Sequence, residues 1–170
     1  MSKHLKAIAI AGVLTASGLT PVVANAASII GLVDGKTLVM IDPASKKVTS
    51  KIAVKGTPGL LGIDVRPADG MLYGVSTDGN VVTIEPKSGQ ATMKSKLSET
   101  LKAGVVATVD FNPAADRLRV MGSDGTSHRI NVEDGKVTVD GSHKFKDGDA
   151  NGGKMPSVIA GAYSNSFKGT

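Results

Sequence analysis

Apolar and polar residues alternate along much of the chain, and the alternation is most regular between residues 117 and 132. Leu118 and Val120 alternate with two arginines, and Ile130 and Val132 repeat the pattern a few residues later. A period of two residues is typical of a β-strand that buries one face. Asp-Gly pairs and prolines stand between the alternating segments, and these residues favour tight turns. The pattern therefore predicts short antiparallel strands joined by hairpins.

The segment 109–120 is a copy of the segment 63–74, and the two are related by a constant offset of 46 positions. The correspondence continues without insertion or deletion as far as residues 92 and 138. A repeat of this length is close to the roughly 40–50 residues of a propeller blade. The clearest matches pair Asp64 with Asp110, Pro67 with Pro113, Leu72 with Leu118, Gly79 with Gly125, and Gly89 with Gly135.

Each repeat contains four segments of strand character separated by turns, which predicts a four-stranded antiparallel meander. The second repeat runs from Leu60 to about Thr92, and the third from Val105 to about Val139. A first repeat is visible in Asp34-Gly35, which matches residues 78–79, and in residues 41–43, which match residues 84–86. A meander leaves open edges and buries little surface alone, so the repeats are expected to pack on one another. The predicted fold class is all-β, a β-propeller-like array of about three blades.

The segment 158–167 has the character of the strand that opens a fourth repeat. Such a strand stays an edge unless other strands pair with it. Three arrangements satisfy this pattern: the strand closes on the N-terminal hairpin, the domain is an open arc, or the chain is a fragment. Between the second and third repeats, Leu97 and Leu101 are spaced as on a helix, so a short helix or a turn is expected there.

The first 26 residues have the pattern of a cleaved signal peptide. Lys3 and Lys6 precede an apolar stretch, residues 7–19, which is too short to span a bilayer comfortably. An A-x-A site ends at Ala26 and predicts cleavage before Ala27. Residues 27–170 then form a single propeller-like repeat domain, which we expect to be extracytoplasmic, either periplasmic or secreted.

Charge and composition narrow the range of partners. The formal net charge is +5, and removal of the two lysines in the signal peptide leaves +3, which is too small to indicate binding to nucleic acid or an anionic membrane. Aromatic residues make up 3% of the chain and tryptophan is absent, so stacking platforms for bases or sugars are not expected. Cysteine is absent, which excludes thiol chemistry. A protein partner or self-association fits this composition.

Segments across the chain carry a resemblance to a known family: residues 30–32 with 37–38, residues 61–68 with 72–73, residues 110–120 with their Asp-Phe-Asn-Pro-x-x-Asp-Arg-Leu-Arg-Val string, residues 129–131, and residues 162–167. Here the chain resembles a family of secreted bacterial proteins known only as domain of unknown function 4394. The resemblance implies a propeller-like all-β fold and export. It implies no established activity, so it assigns no catalytic residues. Members of the family usually continue with further strands after the segment that matches Ser164–Phe167.

The segment 147–153 matches the beginning of a calcium-binding loop, D-x-D-x-N-G. Asp147, Asp149 and Asn151 would supply oxygen ligands at alternating positions, and a glycine would permit the sharp turn. The twelfth position, which is a bidentate glutamate in such loops, is Val158. The alternative is a glycine-rich turn in which the polar side chains cap their own backbone. Apart from this calcium, the sequence predicts no cofactor.

Asp64 and Asp110 occupy the same position in successive repeats. In propeller enzymes such acids converge on a metal in the central channel, and the metal can activate water. The alternative is that each aspartate caps the turn formed by the proline that follows. After the signal peptide the only histidines are His128 and His143, too few for an evident zinc or copper site, and no G-x-S-x-G motif occurs.

Basic residues offer a further candidate surface. Four arginines would form a stripe if adjacent repeats align: Arg66, Arg117, Arg119 and Arg129. A solvated face or salt bridges between blades explain them more simply, although arginine is also enriched at protein interfaces. The sequence thus favours an exported, non-enzymatic repeat module with a binding or structural role in the cell envelope or outside the cell. The alternatives are a metal-dependent hydrolase that uses the two repeated aspartates, and a calcium-stabilised binding module.

Overall fold

A computed structural model of the protein describes residues 29–167, and within this range the chain forms three antiparallel β-sheets and no helix. The predicted signal peptide, residues 1–26, lies outside the described residues. No helix long and apolar enough to cross a membrane occurs between residues 29 and 167. The strands are β1 Ile29–Val33, β2 Thr37–Asp42, β3 Lys47–Ala53, β4 Leu60–Val65, β5 Leu72–Ser76, β6 Asn80–Ile84, β7 Ala91–Lys96, β8 Ala107–Asn112, β9 Arg117–Gly122, β10 Ser127–Ile130 and β11 Val137–Asp140.

Each sheet is a meander of strands that follow one another in the chain. The second sheet has the order β4-β5-β6-β7 and the third has the order β8-β9-β10-β11, which confirms the predicted four-stranded meanders. The first sheet, β1-β2-β3, has three strands within the described residues. Between the second and third sheets the turn alternative is found, since the amide of Val105 donates to the carbonyl of Lys102 at 3.3 Å and no helix forms. The all-β prediction is therefore confirmed.

The second sheet lies between the other two and is covered on both faces. Leu72 and Ile84 pack with Leu38 of the first sheet. Tyr73 and Val75 point the opposite way, as the period of two requires, and pack against the third sheet. All five residues of β5 are buried, because this strand contributes to both cores. The core between the second and third sheets consists of Tyr73, Val75, Val81, Leu97, Val109, Phe111, Leu118, Val120, Ile130 and Val132.

Neighbouring sheets are joined by the same backbone hydrogen bond at each seam. The amide of Lys55 donates to the carbonyl of Gly89 at 2.9 Å, and the amide of Ser98 donates to the carbonyl of Gly135 at 3.0 Å. Both glycines have positive φ, 72° and 74°. A Cβ at either position would overlap the carbonyl oxygen of the preceding sheet, so glycine is required there by contact as well as by conformation. The sequence repeat is thus also a repeat of the contact between sheets.

A second backbone hydrogen bond recurs inside all three sheets, where a residue one to three positions after the last strand donates to a turn carbonyl. In the first repeat the accepting carbonyl belongs to Lys36, one residue after the glycine that the sequence aligns with Gly79. This shift follows from the register of β1 and β2, in which Val33 pairs with Thr37. The three bonds are Val54 to Lys36 at 2.8 Å, Leu97 to Gly79 at 3.0 Å, and His143 to Gly125 at 3.3 Å.

The segment 158–167 lies against the opening strand of the third sheet. Thr108 Oγ1 donates to the carbonyl of Gly161 at 3.2 Å, and the amide of Tyr163 donates to Asp110 Oδ2. The amide of Phe111 in β8 donates to Asp64 Oδ2 in the same way. The segment therefore stands to the third sheet as β8 stands to the second, in keeping with the prediction that it opens a fourth repeat. It has no regular strand pairing within the described residues.

Candidate functional site

The side of the second sheet that faces the third sheet is apolar and closed. We call the face of a sheet that is turned toward the next sheet along the chain its forward face, and the opposite face its back face. On the forward face of the second sheet, the ring of Tyr73 meets the ring of Phe111 edge-on at 5.4 Å, with an angle of 77° between the planes. Such edge-to-face pairs add about 0.5–1.5 kcal/mol beyond the area they bury.

The forward face of the third sheet has the same strand register but a different chemistry. In the second sheet Tyr73 pairs with Thr83, and Val75 pairs with Val81. At those positions in the third sheet Arg119 pairs with Arg129, and Met121 pairs with Ser127. The last strand contributes Asp140 opposite Ser127, where the second sheet has Ser95 opposite Val81. A charged surface therefore replaces the apolar one, on an unchanged backbone scaffold.

Asp140 neutralises part of this surface. Its carboxylate accepts hydrogen bonds from Arg129 Nε at 2.8 Å and Arg129 Nη2 at 2.9 Å, and it forms a salt bridge with Arg119 Nη1. Hydrogen bonds from Arg129 and then from Arg119 lower the pKa of Asp140 to about 2. Two guanidinium groups that pair directly across neighbouring strands would repel each other, and the carboxylate between them offsets that repulsion.

We call Asp140 with Arg119 and Arg129 the Asp140 clamp. Beside it lies a polar groove of about 200 Å³, here named the basic groove, lined by Arg117, Arg129, Asn131, Lys136 and Thr138. It lies on the forward face at one end of the sheet, where β9 begins after the turn 113–116 and the turn 132–135 joins β10 to β11. The matching position of the second sheet also forms a groove, of about 280 Å³, but its lining includes Met71, Thr83 and Glu85. The groove in the third sheet is therefore lined by positively charged side chains, whereas the matching groove in the second sheet has no positively charged side chain in its lining.

The four arginines do not form one continuous stripe. Arg66 lies at the seam between the second and third sheets, where its Nε and Nη2 donate to the two carboxylate oxygens of Asp116 at 2.9 and 2.6 Å. Its Nη1 donates to Glu133 at 2.7 Å, and Lys94 pairs with the same glutamate at 2.6 Å. Arg66 thus confirms the expectation of salt bridges between repeats. Arg117, Arg119 and Arg129 lie instead on the forward face of the third sheet.

Asp64 and Asp110 reach across seams, and the turn-cap explanation for them is wrong. Asp64 accepts the amide of Phe111 at 2.7 Å and that of Val65 at 2.8 Å. Asp110 accepts the amide of Tyr163. Burial raises the pKa of Asp110, and the neighbouring Asp64 carboxyl raises it further. The two acids therefore lie together as the sequence allowed, while each also holds a backbone amide of the following repeat.

The predicted calcium ligands lie in an exposed turn. Asp149 Oδ1 accepts the amide of Asn151 at 2.7 Å, and Lys154 Nζ donates to Asn151 Oδ1 at 3.3 Å. Gly148 next to Asp147 has φ 85°, which suits a sharp turn. These residues fit a calcium ion only in part, because an ammonium group holds one of the three proposed ligand oxygens. Across residues 29–167, no three His, Cys, Asp or Glu side chains come together as a metal site.

The two histidines of the described residues, His128 and His143, lie in different surroundings. His128 is in strand β10, as predicted, and its side chain is fully buried at 2% exposure in the core that faces the second sheet. His143 follows β11 in the polar loop, and its backbone amide donates to the carbonyl of Gly125.

The residues that sequence reasoning missed are Asp140, Lys136, Asp116 and Glu133. Comparing positions 46 residues apart would have found Lys136 and Asp116, since they replace the uncharged Gln90 and Gly70.

Comparisons with known proteins give a family for the chain and no activity. No curated protein sequence matches the chain. One solved structure that resembles it is a protein of unknown function from Bacteroides caccae, with 13% sequence identity and a TM-score of 0.41 over 65% of this chain and 38% of that one. The chain thus spans well under half the length of that relative. The model of the domain of unknown function DUF4394 matches residues 20–170, and the protein belongs to that family.

Proposed function

We propose that the protein is an exported, non-enzymatic binding module of propeller-like construction, acting in the cell envelope or outside the cell. The observation that carries this proposal is the forward face of the third sheet, where Arg119, Arg129 and Asp140 stand at positions that are apolar or neutral in the second sheet. A face that only had to cover the next repeat would keep the apolar side chains. Ala162 and Tyr163 cover the part of this face around Arg119 and Met121, and a charged face beyond that part is typical of a surface that meets water or a partner.

The propeller-like arrangement is supported by the seams. The two seams between consecutive sheets use the same amide-to-glycine hydrogen bond, and the segment 158–167 continues the same relation to the third sheet. A fixed contact repeated from sheet to sheet generates a regular array, and propellers are arrays of four-stranded sheets. A crystal structure of the exported protein would test this, and parallel stacking without a common axis would contradict it.

Binding can be tested with a photo-crosslinking residue placed at Thr138, which is exposed on the forward face of the third sheet. The matched control is Thr92, which is exposed at the same position of the second sheet. We expect discrete protein adducts in the producing cells from position 138 that are missing from position 92. Equal labelling from both positions, together with reproducible turnover of a substrate by the purified protein, would overturn the proposal.

Export is tested by the N-terminus of the protein recovered outside the cytoplasm. Cleavage after Ala26 gives a chain that begins at Ala27, and replacing Ala24 and Ala26 by large residues should leave the precursor uncleaved. Recovery of the whole protein in the cytoplasm with Met1 in place would contradict export.

A metal-dependent hydrolase is the second candidate, because Asp64 and Asp110 lie side by side. Each of them already binds a backbone amide, which leaves few free oxygens for a metal ion. The alternative requires that protein purified without chelator holds a stoichiometric metal, and that Asp110→Asn abolishes both the metal and a hydrolytic activity. Protein that contains no metal would dismiss it.

A calcium-stabilised module is tested by thermal melting with excess calcium and with chelator. If Asp147, Asp149 and Asn151 bind calcium, the melting temperature rises with calcium, and the rise disappears in Asp147→Ala. Because Lys154 already occupies the Asn151 oxygen, Lys154→Ala should enlarge the rise. Identical melts in calcium and chelator would remove calcium from the proposal and leave the binding module unaffected.

A further inference from the structure

We propose that the basic groove is a binding site for carboxylate side chains of an acidic protein segment. This proposal rests on the proposed function, because it assigns the ligand chemistry of the same forward face. Three cationic side chains line the groove, Arg117, Arg129 and Lys136, together with the amide of Asn131 and the hydroxyl of Thr138. All of these groups donate hydrogen bonds, which is the requirement for an anionic ligand.

The cations of the groove lack enough acid of their own. Arg117 Nη1 donates to the backbone carbonyls of Ala115 and Asp116, at 3.3 and 2.9 Å, and no carboxylate within residues 29–167 forms a salt bridge with Arg117 or Lys136. The acids nearest in sequence are engaged elsewhere. Asp116 gives both oxygens to Arg66, and Asp134 accepts the amide of Lys136.

The third cation of the groove, Arg129, shares its carboxylate partner, Asp140, with Arg119. Arg129 and Arg119 both bind Asp140, so one carboxylate serves two guanidinium groups. The groove and its clamp thus carry four positive charges, on Arg117, Arg119, Arg129 and Lys136, against one negative charge. The second sheet lacks this surplus of positive charge. At the same positions the second sheet has Met71, Tyr73, Thr83 and Gln90.

The register explains why the charges converge. Arg129 lies between Arg119 and Thr138 on the neighbouring strands. One row further on, the amide of Asn131 donates to the carbonyl of Lys136 at 3.0 Å, and Arg117 begins the strand on the other side. Like charges that are neighbours on a sheet destabilise it unless a counter-charge is present. Asp140 is the counter-charge for Arg119 and Arg129, whereas Arg117 and Lys136 have none among the described residues, so a bound anion would supply it.

The protein itself indicates which anion this is. At the preceding seam Arg66 and Lys94 pair with Asp116 and Glu133, which stand in or beside the turns of the following sheet. Cations at this end of the second sheet thus already bind carboxylates that the turns of the next sheet present. Arg129 holds Asp140 through two nitrogens of its fork, which matches a planar carboxylate. A mature net charge of +3 is too small to hold a nucleic acid without such a specific fit.

The test measures fluorescence anisotropy of labelled peptides on the purified protein. The acidic probe is an extended peptide in which glutamate alternates with threonine, and the matched probe has glutamine in place of every glutamate. Double-stranded DNA and anionic phospholipid vesicles are the competing probes. We expect the acidic peptide to bind, the glutamine peptide to bind about tenfold more weakly or worse, and added salt to weaken the acidic complex.

The decisive variant is Arg117→Gln with Lys136→Gln, which removes two cations and leaves the Asp140 clamp intact. The matched control is Lys87→Gln with Lys96→Gln, which changes the net charge equally at exposed positions of the second sheet. Affinity for the acidic peptide should fall about tenfold or more in the groove variant and stay unchanged in the control. Equal melting temperatures of the two variants will show that both are folded.

Three outcomes overturn the proposal: equal loss of affinity in both variants, preference for DNA or vesicles over the acidic peptide, and no binding of the acidic peptide. Preference for DNA or vesicles, and lack of binding to the acidic peptide, can each be distinguished from failure of the proposed function. If position 138 still crosslinks to a protein while acidic peptides do not bind, the face is a binding surface and the assigned ligand chemistry is wrong. If neither occurs, the binding module itself is wrong.

Discussion

The second and third sheets have the same topology, matching glycines in two of their three hairpin turns and nearly the same strand register, yet their forward faces differ. Tyr73 and Val75 close the second sheet against its neighbour, whereas Arg119 and Met121 hold those positions in the third. The contact that recurs at both seams is made by backbone atoms. Side chains on a forward face can therefore change in character without loss of the repeat. The comparison separates residues that build the array from residues that give one sheet its own surface.

The comparison is tested most strongly at the two matched positions 73 and 119. Tyr73 is fully buried against Phe111, so Tyr73→Ala should lower the free energy of unfolding by about 3–5 kcal/mol, the cost typical of removing a large aromatic side chain from a core. Arg119→Ala should cost under about 1 kcal/mol, because Arg129 still holds Asp140. Urea unfolding monitored by circular dichroism measures both. Equal costs would show that the forward face of the third sheet is also a core.

The backbone seam gives the next largest effect. In Gly135→Ala the new Cβ would overlap the carbonyl of Lys96 at a residue with φ 74°, so we expect a loss of about 3 kcal/mol. Gly104→Ala is the control, since Gly104 also has positive φ but has open space around its Cβ position. That control should lose only the conformational cost of about 1 kcal/mol. If both variants unfold at the same urea concentration, the seam contact is unimportant for stability.

The salt bridges of the seam should have a smaller effect. Arg66 is 11% exposed at its side chain, and hydrogen bonds from Arg66 lower the pKa of Asp116 below its usual range. Arg66→Gln should lower the free energy of unfolding by about 1–2 kcal/mol, because Asp116 and Glu133 lose their shared cation. Arg117→Gln, next to Asp116 in sequence, removes hydrogen bonds to carbonyls only and should cost less than about 0.5 kcal/mol. The same urea titrations distinguish the two.

The clamp on the forward face should matter least, and its effect should depend on pH. Because the pKa of Asp140 in the folded protein is about 2, below the ordinary value of 3.8, ionised Asp140 stabilises the fold above pH 4. This stabilisation is lost as the pH falls from about 4 toward about 2. Asp140→Asn should therefore unfold slightly more easily at pH 7 and show a flatter loss of stability below pH 4. Parallel pH profiles for the two proteins would contradict the clamp.

The array itself was predictable because its information is local and periodic. Alternation predicted strands, and the offset of 46 positions placed equivalent turns in the second and third repeats, where the structure confirms them. The sequence left open whether a helix or a turn forms at 97–101, because Leu97 and Leu101 pack on the same core in either case; the structure has bends there and a turn at 103–104.

Contacts across the seams were not predictable, because they join residues far apart in the chain. Nothing near Asp64 in sequence indicates that its carboxylate accepts the amide of Phe111, 47 positions later. The proline that follows Asp64 suggested a local cap instead, and local rules cannot weigh a partner that only the packing brings near. The charge of the basic groove has the same origin, since Arg117 and Lys136 become neighbours only once three strands are in register.

The seam between Ser98 and Gly135 has an evolutionary consequence. Its donor and acceptor recur 43 and 46 positions earlier, at Lys55 and Gly89. Duplication or loss of one whole unit of the gene would therefore leave every remaining unit with a matching neighbour. Ancestors and descendants of this chain can differ in length by complete units, and selection can then act on the exposed sheet of each new array separately. Because the donors are 43 positions apart and the acceptors 46, the seam also tolerates a difference of a few residues between units, and we expect such differences in the turns and connections.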